Sequence, residues 1–271
     1  MKILSCDTHY NWFLVRDFLQ KRTLTGVENV SDNGYTRQTP EGLVHAEFLA
    51  DKHCFAVSFL PVDDDGAWTT QADDIRSLKH VLGLGSIWQD IAPALITSGM
   101  PKSALIPVAI AGCWSPYEAL IRAILGQQVT VTAAITQLNK LHALVQCHGG
   151  RGFFSPQALL EADLAGFRLP ERRKQSLLNA SAWVAEHGLS DISQVDTLLD
   201  IKGIGPWTVN YVKLRGFAAP DVMLDNDLII KQQLQQHPLS SDKASPWRSY
   251  FCLQLWQWST LEKMKKTACN G

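Results

Sequence analysis

Hydrophobic residues follow two different spacings in the two parts of the chain. Apolar and polar residues alternate over residues 43–49 and 54–60, which predicts two antiparallel strands. Helical spacing precedes these strands over residues 10–22 and follows them over residues 73–84 and 87–97. The N-terminal part is therefore predicted to be a small α+β region.

From residue 114 onward the spacing is helical and no strand pattern is convincing. Helices are predicted over residues 115–125, 131–145, 155–164, 172–187, 195–201, 227–236 and 245–261. Ser115 and Glu118 form the pattern of a capping box, with Pro116 at the first helical position. The chain as a whole is predicted to be α+β, an antiparallel sheet with helices followed by an all-α core.

Composition excludes several classes of protein. With 271 residues and 46% hydrophobic content, the chain can form two or three small domains or one large one. Its 25 basic and 26 acidic residues give no general attraction to nucleic acid, so a DNA partner would be held by local features. No apolar run approaches transmembrane length, and the six scattered cysteines include no Cys-x-x-Cys pair. We expect neither a membrane partner nor a zinc site, and a reducing cytoplasm as the location.

A glycine turn in the helical part is the strongest local motif. Gly203, Ile204 and Gly205 follow an apolar helix end, and Pro206 suits the first position of a new helix. Gly216 is expected to end that helix as its C′ residue. The N–H groups at the start of the second helix are then available to bind a phosphate. Taken alone, a Gly-x-Gly turn also occurs in helical proteins that bind nothing.

The residues after the turn make the motif more specific. Trp207 and Tyr211 lie four positions apart and share one helix face, and Asp227 begins the next predicted helix. Over residues 199–232 this pattern resembles the DNA-3-methyladenine glycosylase II (AlkA-like) branch of the helix-hairpin-helix DNA glycosylases. The run Arg-Ala-Ile-Leu-Gly-Gln-Gln-Val-Thr-Val, at 122–131, is a second similar segment.

The resemblance implies how the chain is divided. It implies an N-terminal α+β domain with a TBP-like sheet over residues 1–90, and a segment at 91–112 that joins the C-terminal helical subdomain. A helical domain at 113–218 would contain the helix-hairpin-helix, near 195–216. Residues 219–271 would complete the C-terminal helical subdomain and carry the catalytic aspartate.

By register with the family motif, Asp227 is the catalytic residue. A helix N-terminus favours the ionised carboxylate, which can stabilise oxocarbenium charge on the sugar or position a water molecule. From the residues alone Asp227 is equally an N-cap, and Asp225 or Asn226 could serve as the cap too.

The resemblance also implies a pocket for the base and a wedge that replaces it in the duplex. The pocket candidates are Trp207, Tyr211, Trp256 and Phe18. Electron-rich rings would attract a cationic alkylated purine, although aromatic residues at helical spacing more often belong to the core. The wedge candidates are Gln127 and Gln128, the second standing where the family often has leucine. A solvated helix break is the alternative for both glutamines.

DNA phosphates would be bound around the turn. The candidate residues are Gly203, Gly205, Thr208, Lys202 and Arg172, the last within a basic cluster that includes Arg168, Arg173 and Lys174. A basic cluster is more often only a solvated face. In the resembling family the main-chain carbonyls of the hairpin can hold a monovalent cation such as Na⁺ or K⁺, and the matching donors here are Leu199, Ile201 and Ile204.

Trp207 determines the predicted reaction type. Bifunctional relatives carry a lysine nucleophile at that position, and an indole cannot form a Schiff base. We therefore expect a monomeric hydrolase that acts on damaged double-stranded DNA near the bacterial nucleoid and leaves an abasic site. No cofactor and no iron–sulfur cluster are expected, because only Cys252 and Cys269 lie in the last hundred residues.

Two other functions stay open at this point. One is a non-catalytic helix-hairpin-helix DNA-binding protein with a degenerate pocket. The other is a glycosylase, with or without lyase activity, for other damaged bases such as oxidised ones.

Overall fold

The structure is a computed structural model that describes residues 2–62, 71–146 and 150–269, with side chains as far as residue 262. Five antiparallel strands form one sheet in the order β1-β5-β4-β3-β2. The strands are β1 (Lys2–Ser5), β2 (Glu28–Val30), β3 (Gly34–Thr39), β4 (Gly42–Leu49) and β5 (Cys54–Pro61). The two strands predicted from alternation are present as β4 and β5.

Two helices cover the buried face of the sheet. They are α1 (Trp12–Gln20) and α2 (Gln71–Leu82). The bounds of both helices agree to within two residues with the ranges predicted from helical spacing. In register across β3, β4 and β5, Tyr35 pairs with Ala46 and Ala46 with Val57, and all three are fully buried. Trp12 and Leu78 close this core from the helices.

The remaining elements are helical. They are α3 (Trp88–Thr97), α4 (Pro116–Gly126), α5 (Val131–Val145), α6 (Pro156–Glu161), α7 (Glu171–His187), a 3₁₀ helix (Ile192–Asp200), α8 (Pro206–Phe217), α9 (Leu228–Gln236) and α10 (Arg248–Cys269), with short 3₁₀ turns at Lys102–Ala104 and Asp242–Ala244. The α+β fold is thus as predicted. Three elements differ from their predicted bounds by more than two residues: the first arm of the hairpin is a 3₁₀ helix that begins at Ile192 instead of Val195, α6 ends at Glu161 instead of Leu164, and α10 begins at Arg248 and runs to Cys269 instead of spanning 245–261.

Two hydrophobic cores stabilise the helical part. One is formed by α4, α5, α7 and α8, around Leu120, Leu141 and Leu177. The other joins α3, α9 and α10, around Leu95 and Phe251. Helix α3 comes before the helices of the first core in the chain, yet it packs in the second core. Among the described residues no single helix has the length and apolar character needed to cross a bilayer, and α4 and α5 meet that measure only as a pair bent by 120°.

Gly216 does not end α8, contrary to the sequence prediction. The helix continues to Phe217 and ends at Ala218, which adopts the left-handed conformation with φ of 50°. A Cβ atom on Gly216 would lie 3.0 Å from the Cα of Pro116, at the start of α4. Glycine is therefore required here for close helix packing and not for a turn.

The predicted capping box is only half formed. The Ser115 hydroxyl accepts the Glu118 N–H at 3.1 Å, but the Glu118 carboxylate points into the protein instead of returning to the cap. It lies 2.6 Å from Nη2 of Arg37 on β3 and 2.7 Å from Nη2 of Arg122. Burial opposes ionisation, yet these two guanidinium groups lower the pKa of Glu118 to about 2.

Glu28 on β2 extends this buried ionic network. Its carboxylate lies 3.1 Å from Nη1 of Arg37 and 2.9 Å from Nη2 of Arg122, and it accepts the Tyr35 hydroxyl at 2.8 Å. The four charged side chains, Glu28, Arg37, Glu118 and Arg122, are together neutral and nearly excluded from solvent. They fix the sheet to the N-terminal half of α4.

Candidate active site and DNA-binding face

Asp227 is the N-cap of α9. Its Oδ1 accepts the N–H groups of Ile229 and Ile230 at 3.0 and 3.1 Å. Asp225 and Asn226, the alternative caps, are exposed. The cap geometry fixes the direction of the Asp227 carboxylate, because a side chain bonded to the first turn cannot rotate freely.

Two indole rings also bind the Asp227 carboxylate. Nε1 of Trp256, on α10, donates to Oδ1 at 3.2 Å, and Nε1 of Trp207, on α8, donates to Oδ2 at 3.4 Å. Three helices distant in sequence therefore meet at one partly buried carboxylate. Four N–H donors surround it and stabilise its negative charge.

The other predicted pocket residues lie beside these indoles. Tyr211 stacks on Trp207 with ring centroids 5.3 Å apart and an interplanar angle of 29°, as their spacing on α8 predicts. Phe18 and Tyr211 line one cavity of about 20 Å³ with Arg22. Glu28, Glu118 and Arg122 line the same cavity, whose volume holds about one water molecule and not a purine.

Two arginines that the sequence reasoning missed lie at the same place. The guanidinium carbon of Arg22 is 3.9 Å from the Phe18 ring centroid, and that of Arg215 is 4.3 Å from it. A signal was available in the sequence. Arg215 follows Tyr211 by four positions on α8 and shares its helix face, and Arg22 follows Phe18 by four positions in the turn just after α1.

The hairpin between the 3₁₀ helix and α8 depends on one glycine rather than two. Gly203 has φ of 95°, and a Cβ there would collide with the Ser176 hydroxyl. Gly205 is extended, with φ of −117° and open space around it, so its backbone does not require glycine. The absence of a side chain at Gly205 instead keeps the start of α8 open.

The first turn of α8 has the form of an anion site. Gly205 is the N-cap and contributes no side-chain hydrogen bond, and Pro206 has no N–H to satisfy. The N–H groups of Trp207 and Thr208 belong to this uncapped turn. Lys202 and Arg172, the predicted phosphate contacts, are both exposed. Their main-chain carbonyls both lie within hydrogen-bond distance of the Ser176 hydroxyl, at 3.2 and 3.0 Å.

The structure separates the two wedge candidates. Gln127 is partly buried, and its Nε2 donates to Gly203 O at 3.1 Å and to Thr208 Oγ1 at 3.0 Å. Gln128 is exposed and has φ of 57°, an uncommon conformation for a residue other than glycine. Gln127 therefore braces the hairpin, and Gln128 is the residue presented to solvent.

One member of the basic cluster supports the same loop. Nη2 of Arg173 donates to Gln127 O at 2.9 Å, while Lys174 lies 3.5 Å from the Glu171 carboxylate. Arg168 and Arg172 are exposed. The cluster thus divides into a structural member, a paired lysine and two side chains that face solvent.

The comparison with known sequences decides the family. A family profile described as the AlkA N-terminal domain matches residues 3–106. The sequence is 30% identical to DNA-3-methyladenine glycosylase 2 of Escherichia coli strain K12, over 94% of this chain and 96% of that protein. The chain belongs to the DNA-3-methyladenine glycosylase 2 family. The match to this AlkA-type family includes both the sheet region and the helix-hairpin-helix core.

Two solved structures share the AlkA-type fold. The 3-methyladenine DNA-glycosylase from Archaeoglobus fulgidus has a TM-score of 0.72 at 16% identity, covering 95% of this chain and 98% of that chain. The Clostridium acetobutylicum 8-oxoguanine glycosylase/lyase in its apo-form has a TM-score of 0.59 at 13% identity, covering 86% and 88%. One fold thus occurs in proteins named for different bases. Side chains at the site, rather than the fold, must determine which base an AlkA-type chain removes.

Proposed function

We propose that this protein flips an alkylated purine out of double-stranded DNA and hydrolyses its glycosidic bond, with Asp227 as the catalytic group. Membership of the family makes it a DNA N-glycosylase of base excision repair. The observation that carries the residue assignment is the Asp227 carboxylate itself. It is partly buried and aimed by its cap bonds, and two indoles contact it.

DNA binding is assigned to the hairpin. The amides of Gly203, Gly205 and Thr208 would bind a phosphate on the 3′ or 5′ side of the lesion, with Lys202 and Arg172 adding charge. The Ile201 carbonyl accepts the Ile204 N–H at 2.9 Å and keeps a second lone pair. Together with the carbonyls of Leu199 and Ile204, it would hold a monovalent cation, whose charge would favour a phosphate at the hairpin.

Gln128 is assigned to the space that the flipped base leaves. Its exposed amide can hydrogen-bond the partner base that has lost its pair, which an aliphatic wedge cannot do. The brace from Gln127 holds the backbone against which this wedge would push.

The chemistry requires little from the protein when the base is cationic. Alkylation at a ring nitrogen, as in 3-methyladenine or 7-methylguanine, turns the base into a good leaving group. As the bond breaks, positive charge develops on the sugar, and an ionised Asp227 stabilises it or orients the attacking water. The Trp207 contact to Oδ2 is the longest of the four, so Oδ2 is the oxygen most easily released toward the sugar.

The site offers no nucleophile for a lyase step. Trp207 offers no amine, and Lys213 on the same helix is paired with Asp196 at 2.7 Å. We propose a monomeric hydrolase in the cytoplasm that leaves an abasic site without cutting the strand. Borohydride reduction with damaged DNA is expected to trap no protein–DNA adduct, and a trapped adduct would contradict this reaction type.

Base release from methylated duplex DNA, with products identified by chromatography, tests the assignment. Wild type is expected to release 3-methyladenine and 7-methylguanine, and Asp227→Asn to lose roughly 100-fold or more in single-turnover rate. Asp225→Asn, an exposed carboxylate two residues away, is the matched control and should retain the wild-type rate. Binding without release by wild type would favour a non-catalytic DNA-binding protein, and full activity of Asp227→Asn would remove Asp227 from the chemistry.

A further inference from the structure

The loop between α8 and α9, residues 218–227, carries Asp227 and is buried in its middle part. Val222, Met223 and Leu224 are nearly excluded from solvent, so their main-chain groups need hydrogen-bond partners inside the fold. The Asp227 N–H donates to Leu224 O at 2.9 Å and forms the turn that leads into α9. The position of the Asp227 carboxylate therefore depends on what holds the main chain of this loop a few residues earlier.

Two different helices hold the buried part of the loop. The Ser249 hydroxyl, on α10, accepts the Val222 N–H at 2.9 Å. Nδ2 of Asn210, on α8, donates to Met223 O at 2.9 Å. No other α8 side chain in the described part of the protein donates a hydrogen bond to the main chain of this loop. The loop is thus fixed to α10 at Val222 and to α8 at Met223.

Asn210 lies between the two aromatic residues of α8 that face the site. It follows Trp207 by three positions and precedes Tyr211 by one. Helix α8 therefore contacts the Asp227 segment twice, at the carboxylate through Trp207 Nε1 at 3.4 Å and at the main chain through Asn210 at 2.9 Å. When Oδ2 of Asp227 turns from Trp207 toward a sugar, the Asn210 bond remains as the side-chain hydrogen bond that joins α8 to this loop.

The start of α8 determines where a bound DNA strand would lie. The proposed phosphate site is formed by the hairpin and the first turn of the helix, which includes Thr208. Gln127 holds this turn through its bond to Thr208 Oγ1 at 3.0 Å. Asn210 is two residues further along, a rise of about 3 Å. Because a helix holds its residues in a more precise relation than a loop does, the Asn210 bond links the Asp227 loop to the element that binds the phosphate.

We propose that Asn210 is a positioning residue, which sets the distance between the Asp227 carboxylate and a sugar whose phosphate is bound at the hairpin. The proposal rests on the roles of Asp227 and the hairpin in the proposed function. Asn210 acts through Met223 O and takes no part in the cleavage itself. An error of about 1 Å in such a distance can cost roughly 100-fold in rate. Loss of the bond is therefore expected to slow base release without weakening DNA binding.

Asn210→Leu tests the proposal, because it keeps a side chain of nearly the same size and removes the donor. Asn210→Asp is the second variant, since its carboxylate cannot donate to Met223 O. Asn210 is only partly buried, which makes both changes less disruptive than a change in the core. Lys213→Met is the matched control. Lys213 lies three residues further along α8, and its ammonium group binds Asp196 in the 3₁₀ helix at 2.7 Å instead of the loop.

Two quantities are measured for each protein. One is the rate constant for release of 7-methylguanine from duplex DNA in a single turnover, with enzyme in excess and saturating. The other is the Kd for a duplex with an abasic site, from fluorescence anisotropy. A variant that is only less stable contains fewer folded molecules, which raises its apparent Kd, but the folded molecules still react with the wild-type rate constant. Saturating enzyme thus separates positioning from a loss of folded protein.

In Asn210→Leu and Asn210→Asp the rate constant should fall by roughly 10- to 100-fold, while the Kd stays within about threefold of wild type. Lys213→Met should match wild type in both quantities. An unchanged rate constant in the Asn210 variants, a loss confined to the Kd, or an equal loss of rate in Lys213→Met would overturn the proposal. Each of these results, with an active wild type, would leave the proposed function intact, whereas a wild type that releases no base would count against both.

Discussion

At the scale of single residues, Asp227 has two roles that the sequence presented as alternatives. It caps α9 through Oδ1 and is the proposed catalytic carboxylate. The two roles are compatible because they use different properties of one side chain. Capping needs an acceptor oxygen, which asparagine also offers, whereas stabilising a sugar cation needs negative charge.

Because capping and catalysis use different properties of Asp227, two substitutions there should change the stability of the protein differently. Asp227→Asn keeps a cap acceptor and is expected to leave the free energy of unfolding nearly unchanged, while Asp227→Ala loses about 1 kcal/mol. Urea denaturation of both variants measures the difference. Both should be inactive in base release. If Asn and Ala were equally destabilising, the cap bonds to Ile229 and Ile230 would not be what orders the carboxylate.

At the scale of elements, the hairpin and the loop after α4 form one braced unit. Gln127 bonds Gly203 O and Thr208 Oγ1, Arg173 bonds Gln127 O, and Ser176 bonds Lys202 O at 3.2 Å. The proposed wedge and the proposed phosphate site are therefore held in a fixed relation. From sequence the two glutamines were equivalent, because only contacts with the distant hairpin distinguish them.

The brace predicts opposite behaviour of two neighbouring substitutions. Gln127→Ala removes two hydrogen bonds and is expected to lower the free energy of unfolding by about 1–3 kcal/mol, weakening DNA binding as well. Gln128→Ala should leave stability within about 0.5 kcal/mol of wild type, as for other exposed positions, yet reduce base release.

Urea denaturation and fluorescence anisotropy on a duplex with an abasic site separate the two effects. A destabilised Gln128→Ala, or a Gln127→Ala variant with wild-type stability and binding, would reverse the roles assigned to the two glutamines.

At the scale of the whole molecule, the buried ionic network connects the sheet to the site. Glu28, Arg37 and Glu118 join β2 and β3 to α4. Arg122 adds a bond from Nη1 to Arg22 O at 2.8 Å, next to the end of α1 that carries Phe18. The sheet, although remote from Asp227, thereby fixes one wall of the proposed pocket.

Glu118 makes this connection sensitive to acid. Its pKa is lowered in the folded protein from 4.5 to about 2, so its stabilising effect is complete above about pH 4.5 and is lost as pH falls toward 2. The total is roughly 3 kcal/mol at one pKa unit per 1.36 kcal/mol. Glu118→Gln should be destabilised at pH 7 by about 3–5 kcal/mol, since it leaves buried arginines short of a partner.

The matching measurement is urea denaturation at pH 7, 4.5 and 3. Wild type should lose stability between the two lower values, and Glu118→Gln should lose less over the same interval. Glu171→Gln, an exposed carboxylate on α7, serves as control and should follow wild type. Parallel pH profiles of wild type and Glu118→Gln would show that the network does not couple to acid.

The fold was predictable where the pattern is local. Helical spacing determined nearly all the helices, and alternation determined β4 and β5. Alternation did not predict β1, β2 and β3, because these strands are short or polar. Strand β3 carries Arg37, which is buried because Glu28 and Glu118 neutralise its charge. Gly216 was misassigned for the same reason, since its neighbour Pro116 is a hundred residues away in the chain.

For the candidate site, the sequence alone determined the glycine turn, the open start of α8, the shared face of Trp207 and Tyr211 and an aspartate at a helix start. These depend on residues within one or two helical turns of each other. Only the tertiary structure brought Trp256 and Trp207 to the same carboxylate, distinguished Gln128 from Gln127 and placed Arg22 and Arg215 against Phe18. Such contacts join segments far apart in sequence, and packing of the whole chain decides them, because no local spacing specifies which distant side chain will be the neighbour.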